Sequence, residues 1–425
     1  MIIDKSNEIY KRAERLIPAG TQCYSKGVMS FVEGVAPKYL QRGKGCRVWD
    51  VDGNEYIDYG MGLGPVTLGY CYDVVDKAIK DQLKDAITLT QMHPLEVEVA
   101  ELLEKIIPCA EMVRFGKNGS DVTSAAVRLA RAYTGKDIIA CTGYHGWQDW
   151  YIAATERNIG IPGSVIELTK KFKHNDIMSL EKIFNENKDN VACVIMEVMG
   201  ADMPEEGFLE KVKDITHKNN AVLIFDEVYT GFRWALGGAQ EYFNVIPDLA
   251  TIGKGMANGM PVSAIVGKAE IMKKLEDVFF SFTFAGEILS LAAAKATINE
   301  MIEKDVIDYN KKIGIKLTNG FESIIKKYKV DDNIRIGGPD FRSLFLFKDK
   351  MKGDLHKSLL QQEMIKRGIL FTGYSNVCFK HSDKEVDLTI SAFEESIQLL
   401  SKWIKEDCEE EKLEGKIIQP VFRRY

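Results

Sequence analysis

Two short apolar segments, each followed at once by a functional side chain, constrain this 425-residue sequence more than any other feature. Residues 221–225 are apolar and partly β-branched, as in a buried parallel strand, and they run directly into Asp226. A second apolar run at 249–252 leads into Lys254, which has a glycine on either side. Ligands bind at the carboxyl ends of strands in open α/β sheets. The sequence therefore predicts an acid and a lysine at one sheet edge.

Pyridoxal phosphate chemistry requires this pair of side chains. A lysine amine can form a Schiff base with the cofactor's aldehyde, and a carboxylate can keep its pyridine nitrogen protonated so that the ring acts as an electron sink. Glycines beside the lysine let the backbone approach a flat ring. The alternative is an ordinary ion pair at a sheet edge, or two unrelated surface charges.

The motifs FDEVYTGFR at 225–233 and GKGMANGMPVSAIVG at 253–267 resemble the signature of the class III aminotransferases. This family belongs to fold type I of the pyridoxal phosphate enzymes, and the similarity extends from about residue 16 to about residue 403. The resemblance implies an α/β fold with two parts. A large domain with a mostly parallel sheet wrapped by helices would span 71–305, and a smaller α+β domain would be built from 1–70 and 306–425.

The order of periodic segments agrees with this fold class. From residue 94 onward, helical patterns alternate with short apolar runs, which favours a doubly wound, mostly parallel sheet. Asp52-Gly53 between two alternating runs predicts a hairpin near the N-terminus. The later part predicts helices at 310–327, 355–366 and 394–405, with strands at 343–347 and 388–390. The acidic tail at 406–416 is predicted to be a solvated helix end.

Composition limits the possible partners and the location. The net charge of −6 and the pI near 5.7 give no electrostatic reason to expect nucleic acid or an anionic membrane as a partner. The eight cysteines are scattered without metal-binding spacing, so we expect no metal site and a cytoplasmic location. The N-terminus becomes charged within its first few residues, and we therefore expect no signal peptide.

A phosphate-binding turn is predicted at residues 116–121, where a short strand leads into a helix. Backbone N–H groups at a helix N-terminus bind anions, and a small hydroxyl beside them adds a donor. By resemblance, Gly119 and Ser120 bind the cofactor phosphate, and Asn118 stands where relatives usually carry serine. The alternative is a helix start capped by Ser120 or Asp121.

The resemblance assigns further side chains to the cofactor ring. Tyr144 matches the aromatic residue that stacks on the ring, where π and cation–π attraction stabilise it. His145 is either a general acid or a structural histidine. Glu197 matches an acid near the ring's oxygen, although Val198 follows it in place of the usual proline. Val228 is expected beneath the ring.

Lys254 and Asp226 are the predicted catalytic residues, with Lys254 as Schiff-base amine and then as the base that moves a proton on the substrate. Thr283 matches a threonine that reaches the phosphate of a neighbouring subunit's cofactor. That match predicts an obligate homodimer with a site at its twofold interface.

Substrate residues are less clearly indicated. Ser25 and Lys26 fall in the family's substrate segment, but the expected arginine is missing there. Arg342 is a candidate carboxylate clamp because its planar fork suits bidentate binding, and a surface arginine is the alternative. Glu287 replaces an uncharged residue of the family and is expected to face the substrate.

The predicted activity is transfer of an amino group between a small amino donor and a carbonyl acceptor, by an enzyme of the aminomutase-like group. The leading specific alternative is conversion of glutamate-1-semialdehyde to 5-aminolevulinate. Transamination of a carbonyl intermediate in surface polysaccharide biosynthesis, amino acid racemisation and a non-catalytic binding role are the others. Residues 148–173 are predicted to form a mobile flap over the site.

Overall fold

The computed structural model describes residues 2–349 and 351–419. Its central feature is a seven-stranded sheet with the order β4-β10-β9-β8-β7-β5-β6. Strands β6, β5, β7, β8 and β9 pair in parallel, and β10 is antiparallel to both β9 and β4. The bounds of its strands are β4 Met112–Gly116, β5 Ile138–Thr142, β6 Thr169–Lys171, β7 Val191–Met196, β8 Val222–Glu227, β9 Leu249–Ile252 and β10 Ser263–Gly267. The predicted α/β class with a mostly parallel sheet is confirmed.

The strands at the middle of this sheet are buried on both faces. Every residue of β7, β8 and β9 is buried, as expected for parallel strands covered by helices on either side. Strand β8 includes Asp226 and Glu227, so both carboxylates belong to its carboxyl end. Strand β9 lies beside it and ends two residues before Lys254. The neighbouring strand ends therefore place the predicted acid and lysine at one edge.

Fourteen α-helices lie within the described residues, and most surround the two larger sheets. Their bounds are α1 Asp4–Leu16, α2 Asp73–Leu83, α3 Pro94–Ile106, α4 Gly119–Thr134, α5 Asp149–Ile152, α6 Gly163–Ile166, α7 Ile177–Glu186, α8 Phe208–Lys218, α9 Ala239–Phe243, α10 Ala269–Met272, α11 Ile288–Glu303, α12 Val306–Lys327, α13 Gly353–Lys366 and α14 Asp383–Glu406. Helix α4 ends at Gly135, whose φ of 69° is the left-handed conformation that glycine adopts without strain.

The second sheet joins the two ends of the chain. Its order is β1-β2-β3-β13, from β1 Leu40–Lys44, β2 Arg47–Asp50, β3 Glu55–Asp58 and β13 Ile369–Leu370. The predicted hairpin connects β2 to β3, and Gly53 has the positive φ of 96° that its turn requires. A two-stranded sheet of β11 Ile334–Gly337 and β12 Leu344–Phe347 lies in the C-terminal part.

The hydrophobic cores follow the same division. One cluster gathers residues from Leu68 to Ile307 around α3 and α11, and two others fill the space on either side of β5, β7 and β8. A separate cluster combines Ile57 and Tyr59 with residues 313–400. N-terminal and C-terminal segments thus share a core, while the domain bounds of 1–70, 71–305 and 306–425 stay a prediction.

The strand predicted at 388–390 is wrong, because these residues lie inside α14. The short run Leu-Thr-Ile has a β-like composition, but Ser382 and Glu385 form a capping box that starts a helix before it. Burial of Val386, Thr389 and Phe393 then follows helical spacing rather than alternation. The amphipathic face of a long helix overrides a three-residue propensity.

The structure bears on the predicted flap and on the predicted helix end in the acidic tail, and the mobility of the flap stays a prediction. The flap predicted at 148–173 is anchored at both ends, since Trp150 and Tyr151 are buried and Thr169–Lys171 pairs with β5 as an edge strand. The polar segment after it contains α7. In the acidic tail, Glu409 is buried and lies 3.4 Å from the imidazole of His356, so that carboxylate is an internal contact rather than a solvated charge.

Among the described residues, no helix combines the length and the apolar character needed to cross a bilayer.

Candidate active site

A cavity of about 380 Å³ opens at the carboxyl ends of β8 and β9, within the size range of small-molecule sites. Its walls come from the start of α4, the loop after β5, the end of β7 and the segments after β8 and β9. The predicted residues that line it are Asn118, Gly119, Ser120, Tyr144, His145, Glu197, Asp226, Val228 and Lys254. Tertiary structure thus brings together side chains that are separated by up to 136 positions in the sequence.

Lys254 enters the cavity from a strained piece of backbone. It starts a short 3₁₀ turn, Lys254–Ala257, directly after the extended Gly253, and its own φ is +25°. A non-glycine residue with positive φ costs free energy and is retained where the surroundings require it, often at a functional site. The amine lies 5.0 Å from the centre of the Tyr229 ring.

Asp226 is held rigidly by three donors. Its Oδ1 accepts hydrogen bonds from the Val228 N–H and the Thr251 hydroxyl, both at 3.1 Å. Its Oδ2 lies 2.8 Å from Nδ1 of His145. The carboxylate is 4% exposed and points to the cavity that it lines, so its orientation is fixed before any ligand arrives.

The His145 ring links Asp226 to the backbone. Its Nε2 lies 3.0 Å from the Thr142 carbonyl, which only accepts, and therefore Nε2 donates this hydrogen bond. Its Nδ1 lies 2.8 Å from Oδ2 of Asp226. His145 is almost fully buried, and these two contacts position the carboxylate of Asp226.

Glu197 approaches the same region from the end of β7. Its Oε2 accepts a hydrogen bond of 2.8 Å from the Tyr144 N–H, which fixes the loop that carries the aromatic ring. Burial raises the pKa of Glu197, and the negative charge of Asp226 raises it further. The two acids of the site therefore have different partners. Glu197 accepts from the Tyr144 N–H, whereas Asp226 contacts the Val228 N–H, the Thr251 hydroxyl and the His145 ring.

The start of α4 is a candidate seat for an anion. Asn118 is the N-cap, since its side chain accepts from the Asp121 N–H at 3.2 Å, and the helix begins at Gly119. The alternative that Ser120 or Asp121 is the N-cap is therefore wrong. First-turn N–H groups have no intrahelical acceptor, and those of Gly119 and Ser120 are available to an anion in the cavity.

Two glycines keep the backbone close to this seat. A Cβ on Gly119 would lie 3.0 Å from a methyl carbon of Val228, and a Cβ on Gly146 would lie 2.1 Å from the Ser120 hydroxyl. Gly146 also has a φ of 101°, which other residues rarely adopt. A side chain at either position would therefore displace Val228 or Ser120, both of which line the cavity.

The cavity is not lined by four of the predicted residues, which are Thr283, Ser25, Arg342 and Glu287. Thr283 is exposed on the segment before α11, and Ser25 lies on the 3₁₀ turn Tyr24–Lys26. The guanidinium carbon of Arg342 lies 4.6 Å from the centre of the Tyr229 ring, and Arg342 lines a small neighbouring cavity.

The prediction that Glu287 faces the substrate is not supported by its position. It caps α11 by accepting from the Leu289 N–H at 2.8 Å, and its other oxygen pairs with Lys117 at 2.8 Å. Both carboxylate oxygens therefore already have protein partners.

Sequence reasoning missed several wall residues. Tyr229 is the most consequential, since its ring lies beside Lys254 and its hydroxyl donates to Asn376. Its place three residues after Asp226 was a usable signal, because residues that follow a functional strand end line the same edge. Trp147, Met260 and Pro261 also line the cavity, without any local pattern that marks them.

The acid that follows Asp226 in the sequence has a structural role. Glu227 is fully buried and accepts from the N–H groups of Ala239 and Gln240 at 2.7 and 2.8 Å, so it caps α9. Burial raises the pKa of Glu227, and these donors oppose that effect. Adjacent positions on β8 thus have separate roles, with Asp226 in the cavity and Glu227 in the protein interior.

A strained lysine, a buried carboxylate on the neighbouring strand and the first turn of a helix surround one cavity, which is the arrangement that the sequence resemblance implies for pyridoxal phosphate enzymes of fold type I. The family model for class III aminotransferases matches residues 31–379. The chain therefore belongs to that family, whose members transfer amino groups with pyridoxal phosphate as the cofactor. The predicted family, cofactor and enzyme class are confirmed.

Relatives with two different names cover nearly the whole chain. A 3-aminobutyryl-CoA aminotransferase of Cloacimonas acidaminovorans is 37% identical across 94% of this chain and 98% of its own length. A glutamate-1-semialdehyde 2,1-aminomutase of Archaeoglobus fulgidus is 36% identical across 93% of this chain and 100% of its own. These two values are too close for identity to choose between transfer and migration of the amino group.

The fold has close counterparts among solved structures. The FumI protein of Sphingopyxis sp. MTA144, in its PLP internal aldimine form, has a TM-score of 0.89. It is 26% identical and covers 97% of this chain, which covers 98% of FumI.

Proposed function

We propose that Lys254 is the residue that attaches the cofactor and then moves the proton, and that this enzyme transfers amino groups between two different molecules. The observation that carries the assignment is the placement of Lys254, at a strained turn beside Tyr229 and across one cavity from Asp226. Pyridoxal phosphate supplies an electron sink when it is bound. The remaining steps depend on side chains of this chain.

Each wall has a task in this proposal. The N–H groups of Gly119 and Ser120 bind the phosphate, while Asp226 balances positive charge on the pyridine nitrogen. Tyr144 and Val228 hold the ring from its two faces. Glu197 lies near the ring's oxygen side, and its Oε2 is held there by the Tyr144 N–H. Lys254 can deliver or accept a proton at the substrate carbon.

Intermolecular transfer is favoured over migration by the N-terminal segment. Ser25 and Lys26 occupy the segment where the aminomutase-like relatives bind substrate, yet neither lines the cavity and no arginine stands there. Glu287, the other departure from the family pattern, is engaged with Lys117 and α11. The 36% identical aminomutase keeps migration as the second candidate.

The two reactions differ in what they consume. A mutase converts glutamate-1-semialdehyde to 5-aminolevulinate without a second substrate, whereas a transaminase yields one new amine and one new carbonyl compound from two reactants. We expect the purified holoenzyme to form no more 5-aminolevulinate than the Lys254→Ala variant does. We also expect ¹⁵N from labelled L-glutamate or L-alanine to appear in the amine that is formed from an added aldehyde. Stoichiometric 5-aminolevulinate from the semialdehyde alone would establish the mutase instead.

We propose further that two copies of the chain assemble and that Thr283 serves the partner's site. Thr283 lies outside the cavity of its own chain, on an exposed segment with Phe279, Phe282 and Phe284, which are 79%, 37% and 57% exposed. Exposed aromatic clusters mark interaction surfaces.

The cytoplasmic location stays a prediction, favoured by eight free cysteines of which five are buried as core residues.

Mixing two inactive variants tests this arrangement. Thr283→Asp would place a carboxylate against the phosphate, and Lys254→Ala lacks the amine. If Thr283 acts across the interface, a hybrid dimer contains one intact site, and the mixture regains activity after subunit exchange. A threonine that acts within its own chain leaves both hybrid sites defective. Sedimentation equilibrium should give the mass of a dimer, and a monomeric active holoenzyme would contradict the proposal.

A further inference from the structure

Lys117 joins the start of α4 to two other parts of the chain. Its Nζ donates to the carboxylate of Glu287 at 2.8 Å. It also donates to the Ser290 hydroxyl at 3.1 Å and to the Pro261 carbonyl at 3.0 Å. An ammonium group has three N–H donors, and these three acceptors use all of them. Lys117 therefore has no donor left for a ligand, although it lines the cavity.

Glu287 is the other half of this ion pair. Its side chain is 10% exposed and that of Lys117 is 18% exposed, so the pair is largely removed from water. Burial acts to raise the pKa of the Glu287 carboxyl, but the hydrogen bonds from Lys117 and Ser290 outweigh this effect and hold the pKa below its ordinary value. The group is therefore an ionised carboxylate at neutral pH, and it caps α11 at the same time.

The backbone of Lys117 belongs to the turn that leads into the candidate anion seat. The N–H groups of Lys117 and Asn118 both donate to Oδ2 of Asp121, at 2.9 and 3.0 Å. Gly119 and Ser120 follow directly, and their N–H groups are the ones assigned to the phosphate. Because so few residues separate them, a displacement of the Lys117 side chain would also displace the seat.

The Pro261 contact relates this turn to the reacting lysine. Pro261 lines the same cavity and lies between the turn Lys254–Ala257 and β10. Close to it, the Ser263 hydroxyl donates to the Asn118 carbonyl at 2.9 Å. A cofactor bound here must meet the seat with its phosphate and Lys254 with its aldehyde, which requires a fixed separation between the two. The contacts of Lys117 hold both segments against the start of α11.

We infer that the Lys117–Glu287 ion pair positions the seat for the cofactor phosphate relative to Lys254, without either side chain contacting the phosphate. This inference rests on the proposed function, in which Gly119 and Ser120 bind the phosphate. Glu287 keeps the Lys117 amine directed toward α11, so that amine is a support and not a ligand. Groups that are already in place bind a ligand more tightly, because they need not be ordered when it arrives.

Cofactor affinity separates positioning from direct binding. Apoenzyme of the full chain is titrated with pyridoxal phosphate, and absorbance of the cofactor is the readout. Lys117→Met and Glu287→Gln should each weaken binding roughly 10- to 100-fold, since either change releases the turn. The double variant should lose no more than the more weakly binding single variant, because the two side chains act as one unit. A lysine that bound the phosphate directly would instead be freed by Glu287→Gln, and binding would become tighter.

Ligands that contain only part of the cofactor show whether the effect is local. Pyridoxal has the ring and the aldehyde without the phosphate, and its affinity should be nearly unchanged in both single variants. Inorganic phosphate, measured by calorimetry, should bind more weakly to both. A general loss of structure would weaken all three ligands alike. Lys295→Met is the matched control and should bind as the wild type does, because Lys295 lies on α11, outside the cavity, and pairs with Glu98 at 2.6 Å.

Unchanged or tighter binding of pyridoxal phosphate by Glu287→Gln would overturn the inference, and so would an equal loss of affinity for pyridoxal. The proposed function fails separately, when borohydride fixes no cofactor to Lys254. Binding of inorganic phosphate to the apoenzyme does not depend on that link.

Discussion

Replacing Lys254 with alanine is expected to abolish amino transfer, with a rate loss of roughly a thousandfold or more. The variant removes both the amine that attaches the cofactor and the base that moves the substrate proton. Cofactor bound to the wild type should become fixed to the peptide that contains Lys254 after borohydride treatment, as measured by mass spectrometry. The absorbance band of the bound cofactor, near the boundary between the ultraviolet and the visible range, should shift when an amino donor is added to the wild type.

The variant should still fold, because Lys254 is only partly buried and its side chain is not part of the hydrophobic core. Cofactor soaked into Lys254→Ala should be removed by dialysis and should not be fixed by borohydride. Lys182→Ala on the exposed face of α7 is a matched control that removes a lysine far from the cavity. Label found on another lysine, or near-normal turnover in the alanine variant, would show that the assignment is wrong.

Asp226→Asn is the second change with a large expected effect. Asparagine has nearly the same shape, but it removes the negative charge that faces the pyridine nitrogen. Loss of one preorganised electrostatic partner in a buried site costs roughly 10²- to 10³-fold in rate. An amide N–H can donate to Nδ1 of His145, so the contact with the ring can be kept while the charge is lost. Single-turnover rates with an amino donor measure the effect.

Asp248→Asn is the matched control for this substitution. Asp248 is another buried carboxylate, immediately before β9, where it accepts from the Leu223 N–H at 2.8 Å and pairs with Lys268 at 2.7 Å. It lies outside the cavity. Its loss should lower the free energy of unfolding by roughly 1–3 kcal/mol without changing the rate per bound cofactor. If both asparagine variants lose the same activity per bound cofactor, Asp226 has no special electrostatic role.

The family, the cofactor and the main sheet could be predicted from the sequence alone. Strands at β7, β8 and β9 were predictable because continuous apolar runs bounded by Asp226 and Gly253 allow little else. The segment at 388–390 was not, because three residues cannot reveal that they lie within a helix of 24 residues. Packing of α14 on the shared core decided that assignment.

The site divides in the same way. Lys254, Asp226 and the start of α4 were determined by the sequence, since each stands at the end of a strand or the beginning of a helix, where a local pattern is sufficient to place it. Only the tertiary structure placed Arg342 and Arg233 on one tyrosine ring and turned Glu287 into a helix cap. These contacts join residues far apart in the chain, and whether a charge is paired or left free depends on what the fold brings beside it.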